Sequence, residues 1–221
     1  MSLKTLHAQL STCRQCPRLV EWREKVGLEK RAAYRNSKYW AKPVPGFGDT
    51  HARILIFGLA PGAHGSNRTG RPFTGDASGD FLYPALYRAG LSNQPTSSHQ
   101  DDGLKLEGVY ITAAVRCAPP KNKPSPLEIH TCATWTRQEL ALLHDLEVYL
   151  ALGQIAHEAI LLHYGLRKSK YPFAHSSEYP VGGKVLLSSY HVSRQNTHTG
   201  KLTTAMFEAI LERAKALAKI G

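Results

Sequence analysis

Four short stretches of the chain are apolar at nearly every position: ARILIFGL at 52–59, GVYITAAV at 108–115, LEVYLALG at 146–153 and KVLLSSYH at 184–191. A strand with one wet face alternates apolar and polar residues, whereas a strand in a parallel sheet covered on both faces does not. These runs are therefore expected to be buried parallel strands. Helical periodicity lies between and after them, over residues 78–90, 125–144, 153–165 and 202–219. The second of these has the best marked start, because Ser125 and Glu128 form an S-x-x-E capping box with Pro126 at the first helical position. Gly90 and Gly165 stand where two of the others should stop. Strands alternating with helices imply right-handed crossovers and an α/β protein of three layers, α/β/α. A chain of 221 residues is expected to form one domain over 1–221.

The first fifty residues break the alternation. They open on Leu3, Leu6 and Leu10, a short amphipathic pattern, and continue as RLVEWREKVGLEKRAAYRNSKYW, rich in Arg and Lys with Trp22, Tyr34, Tyr39 and Trp40 interleaved. That mixture suits either a surface that tracks phosphates or an amphipathic helix whose aromatics turn inward. Over the whole chain 28 Lys and Arg face 17 Asp and Glu, a formal charge of +11, which points to a polyanionic partner. No apolar run is long enough for a membrane helix, and the first residues lack the pattern of a secretory signal. The expectation is a cytoplasmic protein, where free thiols persist. Cys13 and Cys16 form a C-x-x-C, Cys117 closes the second apolar run and Cys132 lies within the capped helix. Four thiolates suit zinc or an iron–sulfur cluster, and reduced buried cysteines are the remaining reading. Only one C-x-x-C knuckle is present, unlike the common zinc ribbon, and ligands spread in this way suit a cluster better than one ion.

Beyond the first apolar run comes GLAPGAHGSNRTGRPFTGDASGDF, residues 58–81. In open parallel sheets ligands bind past the carboxyl ends of the strands, where this loop emerges. Its glycines suggest a phosphate cradle, but neither G-x-x-x-x-G-K-[ST] nor G-x-G-x-x-G occurs. It carries Phe73 and Asp76 instead. The second run leads into RCAPPKNKPSP and the fourth into SSYHVSRQNTHTG. One sheet edge would thus gather an aromatic face, a carboxylate, an imidazole and several amides.

GLAPG with GRPFTGDASGDFL, YITAAVRCAPPKNKPSPLE, HVSRQNTHTG and the four cysteines together resemble the family 5, or type-B, branch of the uracil-DNA glycosylase superfamily, over nearly the whole chain. The resemblance implies a four-stranded, mainly parallel central sheet flanked by helices, with the N-terminal segment tied in by a [4Fe–4S] cluster on Cys13, Cys16, Cys117 and Cys132. It implies a monomeric, monofunctional glycosylase of base excision repair. Such an enzyme extrudes a deaminated or mismatched base from double-stranded DNA and hydrolyses its N-glycosidic bond, leaving an abasic site. Phe73 would stack on the flipped base while Gly58, Ala60 and Gly62 let the backbone approach it. His191 would donate to the base oxygen as negative charge develops there, and Asp76, with Asp80 in reserve, would orient or activate water, or else cap the helix that follows it.

Two positions depart from the superfamily pattern. Leu59 stands where relatives often carry an acidic residue or Asn that positions water. Ala113 stands where uracil-specific relatives carry an Asn that pairs with the base, so a wider range is expected: uracil with hypoxanthine, xanthine or mismatched thymine. Asn122 is expected to be either a substitute base contact or a turn residue. Arg194, Gln195 and Asn196 are expected to fill the gap left by the extruded base, and Arg68, Arg71, Lys121, Lys123 and Lys201 to face phosphates. The competing reading is an iron–sulfur or zinc DNA-binding protein without chemistry. A helix-hairpin-helix repair enzyme conflicts with the strand alternation.

Overall fold

A computed structural model describes residues 1–221. In chain order its helices are α1 (Leu3–Ser11), α2 (Pro17–Glu29), α3 (Ser66–Thr69), α4 (Ala77–Arg88), α5 (Pro126–Leu140), α6 (Gln154–His163), α7 (Arg194–His198) and α8 (Thr204–Ala218). Its strands are β1 (Phe47–Gly48), β2 (Ile54–Gly58), β3 (Val109–Ala113), β4 (Val148–Leu152), β5 (Glu178–Val181) and β6 (Lys184–Ser189). They form one mixed sheet in the order β1-β3-β2-β4-β6-β5. The inner four strands are parallel, as expected from their continuous apolar runs, while β1 and β5 add antiparallel edges.

The sheet therefore has six strands where four were expected. β1 is only two residues long, and β5 reads EYPV, with Pro180 and alternate burial. Neither produces a continuous apolar signal, and a proline is tolerated because β5 is an edge. The Gly182-Gly183 turn joining β5 to β6 has positive φ at both residues, 56° and 78°, the conformation that suits a two-residue hairpin.

Both faces of the sheet are covered. Ile54 and Ile56 of β2 and Leu150 and Leu152 of β4 pack with Leu82 and Leu86 of α4 and Phe207 and Leu211 of α8. Leu55, Phe57 and Tyr149 turn to the opposite face, against Ala156, Ile160 and Leu161 of α6. The capping box forms as expected: Glu128 N–H donates to Ser125 Oγ at 3.2 Å, and Ser125 N–H donates to Glu128 Oε2 at 2.7 Å. α5 ends at Leu140, four residues earlier than its periodicity suggests.

The N-terminal segment docks on this framework. Leu6 and Leu10 of α1 are buried, and Arg18 of α2 binds Glu128 of α5 through Nε at 2.8 Å and Nη2 at 2.6 Å. Beneath α1 the wholly buried Arg116 pairs with Glu139, Nη2 to Oε2 at 2.6 Å. Tyr110 Oη donates to Glu139 Oε1 at 3.0 Å, and His7 Nε2 lies 2.8 Å from Tyr110 Oη. Burial alone would raise the Glu139 carboxyl, but the Arg116 charge together with polar contacts from His7, Arg116 and Thr112 outweighs it and holds the group down to about 2. No helix is long and apolar enough to cross a membrane.

Breaking this buried pair from one side should be costly. Glu139→Gln leaves Arg116 without its counter-charge and is expected to lower unfolding free energy by about 3–5 kcal/mol. A denaturant titration reads the loss, and replacing both partners by apolar residues of similar volume should cost much less.

Candidate functional site

A cavity of about 600 Å³ opens at the carboxyl ends of β2, β3 and β6. Its wall includes Gly58, Leu59, Ala60 and Gly62 after β2, Ala113 at the end of β3, and Phe73, Asp76 and His191. Lys121, Asn122, Arg194 and Gln195 line it as well. Three loops distant in sequence thus meet at one edge, as the strand ends predict. Val44 and Pro45, which sequence reasoning passed over, also contribute. Their only signal is the proline pair in KPVPG.

Phe73 is held in a strained backbone conformation. Its φ is +49°, in the left-handed region that a bulky side chain rarely adopts. A Cβ on Gly58 would lie 2.8 Å from Phe73 Cζ, so the ring approaches β2 only because that strand ends in glycine. The strained turn is held from behind. Tyr83 Oη donates to Pro72 O at 2.7 Å, and Thr74 Oγ1 lies 2.6 Å from Ser97 Oγ. Arg71, buried at 2% exposure, donates to Asp102 through Nη1 at 2.9 Å and Nη2 at 2.5 Å.

Asp76 caps α4: its Oδ1 accepts from Ser78 N–H at 3.0 Å and Gly79 N–H at 3.4 Å. Its other oxygen lies in the crook of the glycine loop, where a Cβ on Gly65 would sit 1.9 Å from Oδ2. Capping and lining the cavity are therefore compatible roles for one carboxyl group. Burial raises its pKa, opposed by the Ser78 and Gly79 N–H groups. Asp80 is exposed in the first turn of α4 and does not line the cavity.

His191 faces Phe73 with ring centroids 6.2 Å apart. Burial lowers its imidazole to about 4, so at neutral pH it is an uncharged ring with one N–H donor. Its carbonyl accepts from Asn196 Nδ2 at 2.8 Å, which locks α7 against the end of β6. Asn196 braces His191 in this way and does not line the cavity, unlike Arg194 and Gln195. Lys121 and Asn122 both have positive φ, 55° and 54°, beside Ala113 in the wall.

The cations divide into two groups. Lys121, Lys123, Arg194 and Lys201 are exposed, with Lys201 Nζ 4.9 Å from the Tyr190 ring centroid. Arg71 does not face solvent; it is the buried partner of Asp102, a role set by a loop about thirty residues away that local pattern does not reveal. Arg68 is also committed inward. It donates to His64 O at 2.8 Å and Gly75 O at 3.0 Å and stacks on Tyr34. The aromatics of the first fifty residues likewise turn inward: Tyr39 is buried, its hydroxyl 2.9 Å from His64 Nδ1, and Trp40 Nε1 donates to Pro43 O.

All four cysteines line one small second cavity between α2, β3 and α5. No three His, Cys, Asp or Glu groups gather tightly enough to hold a single metal ion, so the thiols ring this space without converging on a point. Burial pushes the Cys117 thiol up to about 11 and Cys132 up to about 12. N–H groups already point at sulfur: Arg23 Nη1 donates to Cys117 Sγ at 2.9 Å and Arg116 N–H to Cys132 Sγ at 3.4 Å. Arg23 Nε and Trp135 Nε1, on residues lining the same cavity, have no partner. A buried donor left in that state costs roughly 1–3 kcal/mol, so the wall fits an acceptor-rich occupant.

The family model of the uracil DNA glycosylase superfamily matches residues 45–215. The chain is 66% identical over 210 residues, 95% of either chain, to a type-5 uracil-DNA glycosylase of Thermus thermophilus. It is 49% identical to one of Mycobacterium tuberculosis across 99% of this chain and 83% of that one. It is 45% identical to one of Pyrobaculum aerophilum, covering 94% and 90%.

The neutrality of His191 can be read directly. NMR titration of the histidine ring signals should place its midpoint near 4, below the ordinary histidine value, with no charge gained between pH 8 and about 5.

Proposed function

The chain belongs to the uracil DNA glycosylase superfamily, and from that premise we propose that it is a monofunctional DNA glycosylase that removes uracil from double-stranded DNA and leaves an abasic site. The observation that carries this reading is the meeting of Phe73, Asp76 and His191 around one cavity at the sheet's carboxyl edge. A base inside the helix cannot reach such a cavity, so it must be extruded, and a mispaired uracil costs least to extrude. The half-buried Phe73 ring then offers a stacking face, held in place by its strained backbone.

As the bond between C1′ and the base nitrogen breaks, its electron pair leaves with the base and positive charge grows on the sugar. The neutral His191 N–H stabilises the developing negative charge on the base oxygen without giving up its proton to the bulk. Water adds to C1′ opposite the departing base, and Asp76 orients it and accepts its proton. With Leu59 apolar, no carboxylate is supplied from the position just after β2. Raised basicity at Asp76 favours this role, since a carboxylate closer to neutrality is a better proton acceptor.

Ala113 leaves the base edge without a bidentate amide partner, so the proposed range extends to hypoxanthine, xanthine or mismatched thymine. Asn122, lining the cavity nearby, is the proposed substitute contact. Lys121, Lys123, Arg194 and Lys201 are proposed to meet phosphates, with Gln195 and Arg194 entering the duplex. Cys13, Cys16, Cys117 and Cys132 are proposed to hold a [4Fe–4S] cluster. Bound there, such a group would serve structurally, joining the α1–α2 turn to the segment after β3 and to α5 through the four thiolates.

A duplex oligonucleotide with one uracil opposite guanine should break only after alkali treatment; an intact strand after alkali removes the proposal. Asp76→Asn should slow single-turnover excision by more than about tenfold, roughly 1.4 kcal/mol in barrier. His191→Ala should slow it by about a hundredfold with the fold intact, as loss of one positioned donor does. Wild-type excision should fall on acidification with an inflection above 3.8, the ordinary carboxyl value, because the raised Asp76 group loses its base form as pH drops through its pKa.

A further inference from the structure

The wall of the cysteine cavity carries a charge and N–H groups that four neutral thiols do not answer. Seven buried side-chain nitrogen or oxygen atoms in the chain have no hydrogen-bond partner, and three of them, Arg23 Nε, Arg116 Nε and Trp135 Nε1, belong to residues that line this one cavity. All three are donors. Arg116 has its charge met by Glu139 at 2.6 Å. Arg23, only 2% exposed, has no such pairing: its nearest carboxylate oxygen, on Glu24, is 3.8 Å away on a side chain 40% exposed and already bound to Arg14. Its short contacts are Cys117 Sγ at 2.9 Å and the carbonyl of Cys13 at 3.1 Å, one from each side of the cysteine set. A buried guanidinium persists only beside compensating negative charge, and a buried donor only beside an acceptor.

We propose that Arg23 and Trp135 recognise the centre held by the cysteines: Arg23 is the counter-charge of an anionic four-thiolate cluster, and the Arg23 and Trp135 N–H groups donate to its sulfurs. The inference rests on the iron–sulfur reading above. A [4Fe–4S] core of charge +2 with four thiolates carries −2, which supplies both the charge and the acceptors that the wall lacks. Arg23 also connects this centre to the base pocket. Its carbonyl accepts from Asn67 Nδ2 of α3 at 3.2 Å, and Val115 lines both cavities. Arg23 therefore faces the cysteine cavity with its side chain and joins α2 to the glycine loop through its backbone carbonyl.

The test uses protein loaded with iron and sulfide under anaerobic conditions, comparing wild type with Arg23→Met, Arg23→Lys and Trp135→Phe. Iron loss to a chelator is followed by visible absorbance, Fe–S stretching bands by resonance Raman, and folding by far-ultraviolet circular dichroism. Arg23→Met should lose iron about tenfold faster or more, the scale on which residues supporting a metal site act. Arg23→Lys, which keeps the charge, should fall between Arg23→Met and wild type. Trp135→Phe should displace the Fe–S bands while leaving the fold unchanged. If Arg23→Met does not fold, Arg23→Lys and Trp135→Phe decide alone. Loaded wild type with both of these variants matching it in bands and release rate overturns the donor roles while leaving the cluster standing. Wild type that binds zinc, or takes up no sulfide, overturns the cluster reading and this inference with it.

Discussion

The structure turns on one strained residue. Phe73 is held at φ +49° with its ring edge against the glycine that ends β2. A left-handed phenylalanine is unfavourable in isolation and persists only where its surroundings over-determine it. Those surroundings come from afar: Tyr83 of α4 fixes the preceding carbonyl, and Asp102 grips Arg71 from a loop beyond α4. Asp102 also accepts from the backbone N–H groups of Ser98 and Leu104, so the same carboxylate organises its own loop and the one it braces. The glycine loop has no regular structure of its own beyond α3, and these clamps are what make it a rigid wall.

On that wall the groups proposed for catalysis are both moved away from full charge by burial. His191 is kept neutral and Asp76 is made more basic. A neutral donor and a basic carboxylate can work side by side without forming the ion pair that a charged imidazole would make. The chain's net charge is +11, and two of its exposed cations, Lys121 and Arg194, line the cavity. Exposed cations and groups that burial shifts toward neutrality thus share one cavity.

The N-terminal segment is the third part of the same construction. The Arg116–Glu139 pair, with Tyr110 and His7, fastens α1 beneath the sheet, while Arg18 and Glu128 fasten α2 to α5. These charge-assisted contacts place the C-x-x-C beside Cys117 and Cys132. From there, backbone bonds from Trp40 N–H to Arg68 O and Ala41 N–H to Asn67 O carry the chain across the glycine loop. The cavity is consequently backed by residues from the first third of the chain.

The inner strands, the capped helix and the loops bearing Phe73, Asp76 and His191 are legible in the sequence because each depends on local chemistry: continuous apolar runs, a capping box, glycines at strand ends. Three things were not. The edge strands β1 and β5 are too short or too alternating to announce themselves, and exist because the inner strands offer them hydrogen-bonding partners. Arg71 and Arg68 look like any surface cation in a glycine-rich loop, and only Asp102, Tyr34 and two carbonyls brought in by the fold turn them inward. An Asp ahead of a helix reads either as its cap or as a cavity residue, and only the crook at Gly65 lets one oxygen of Asp76 do each. Residue type and spacing determined which groups this protein possesses. Burial and long-range pairing, which depend on where distant segments meet, decided which of them are charged, which are exposed and which reach the cavity.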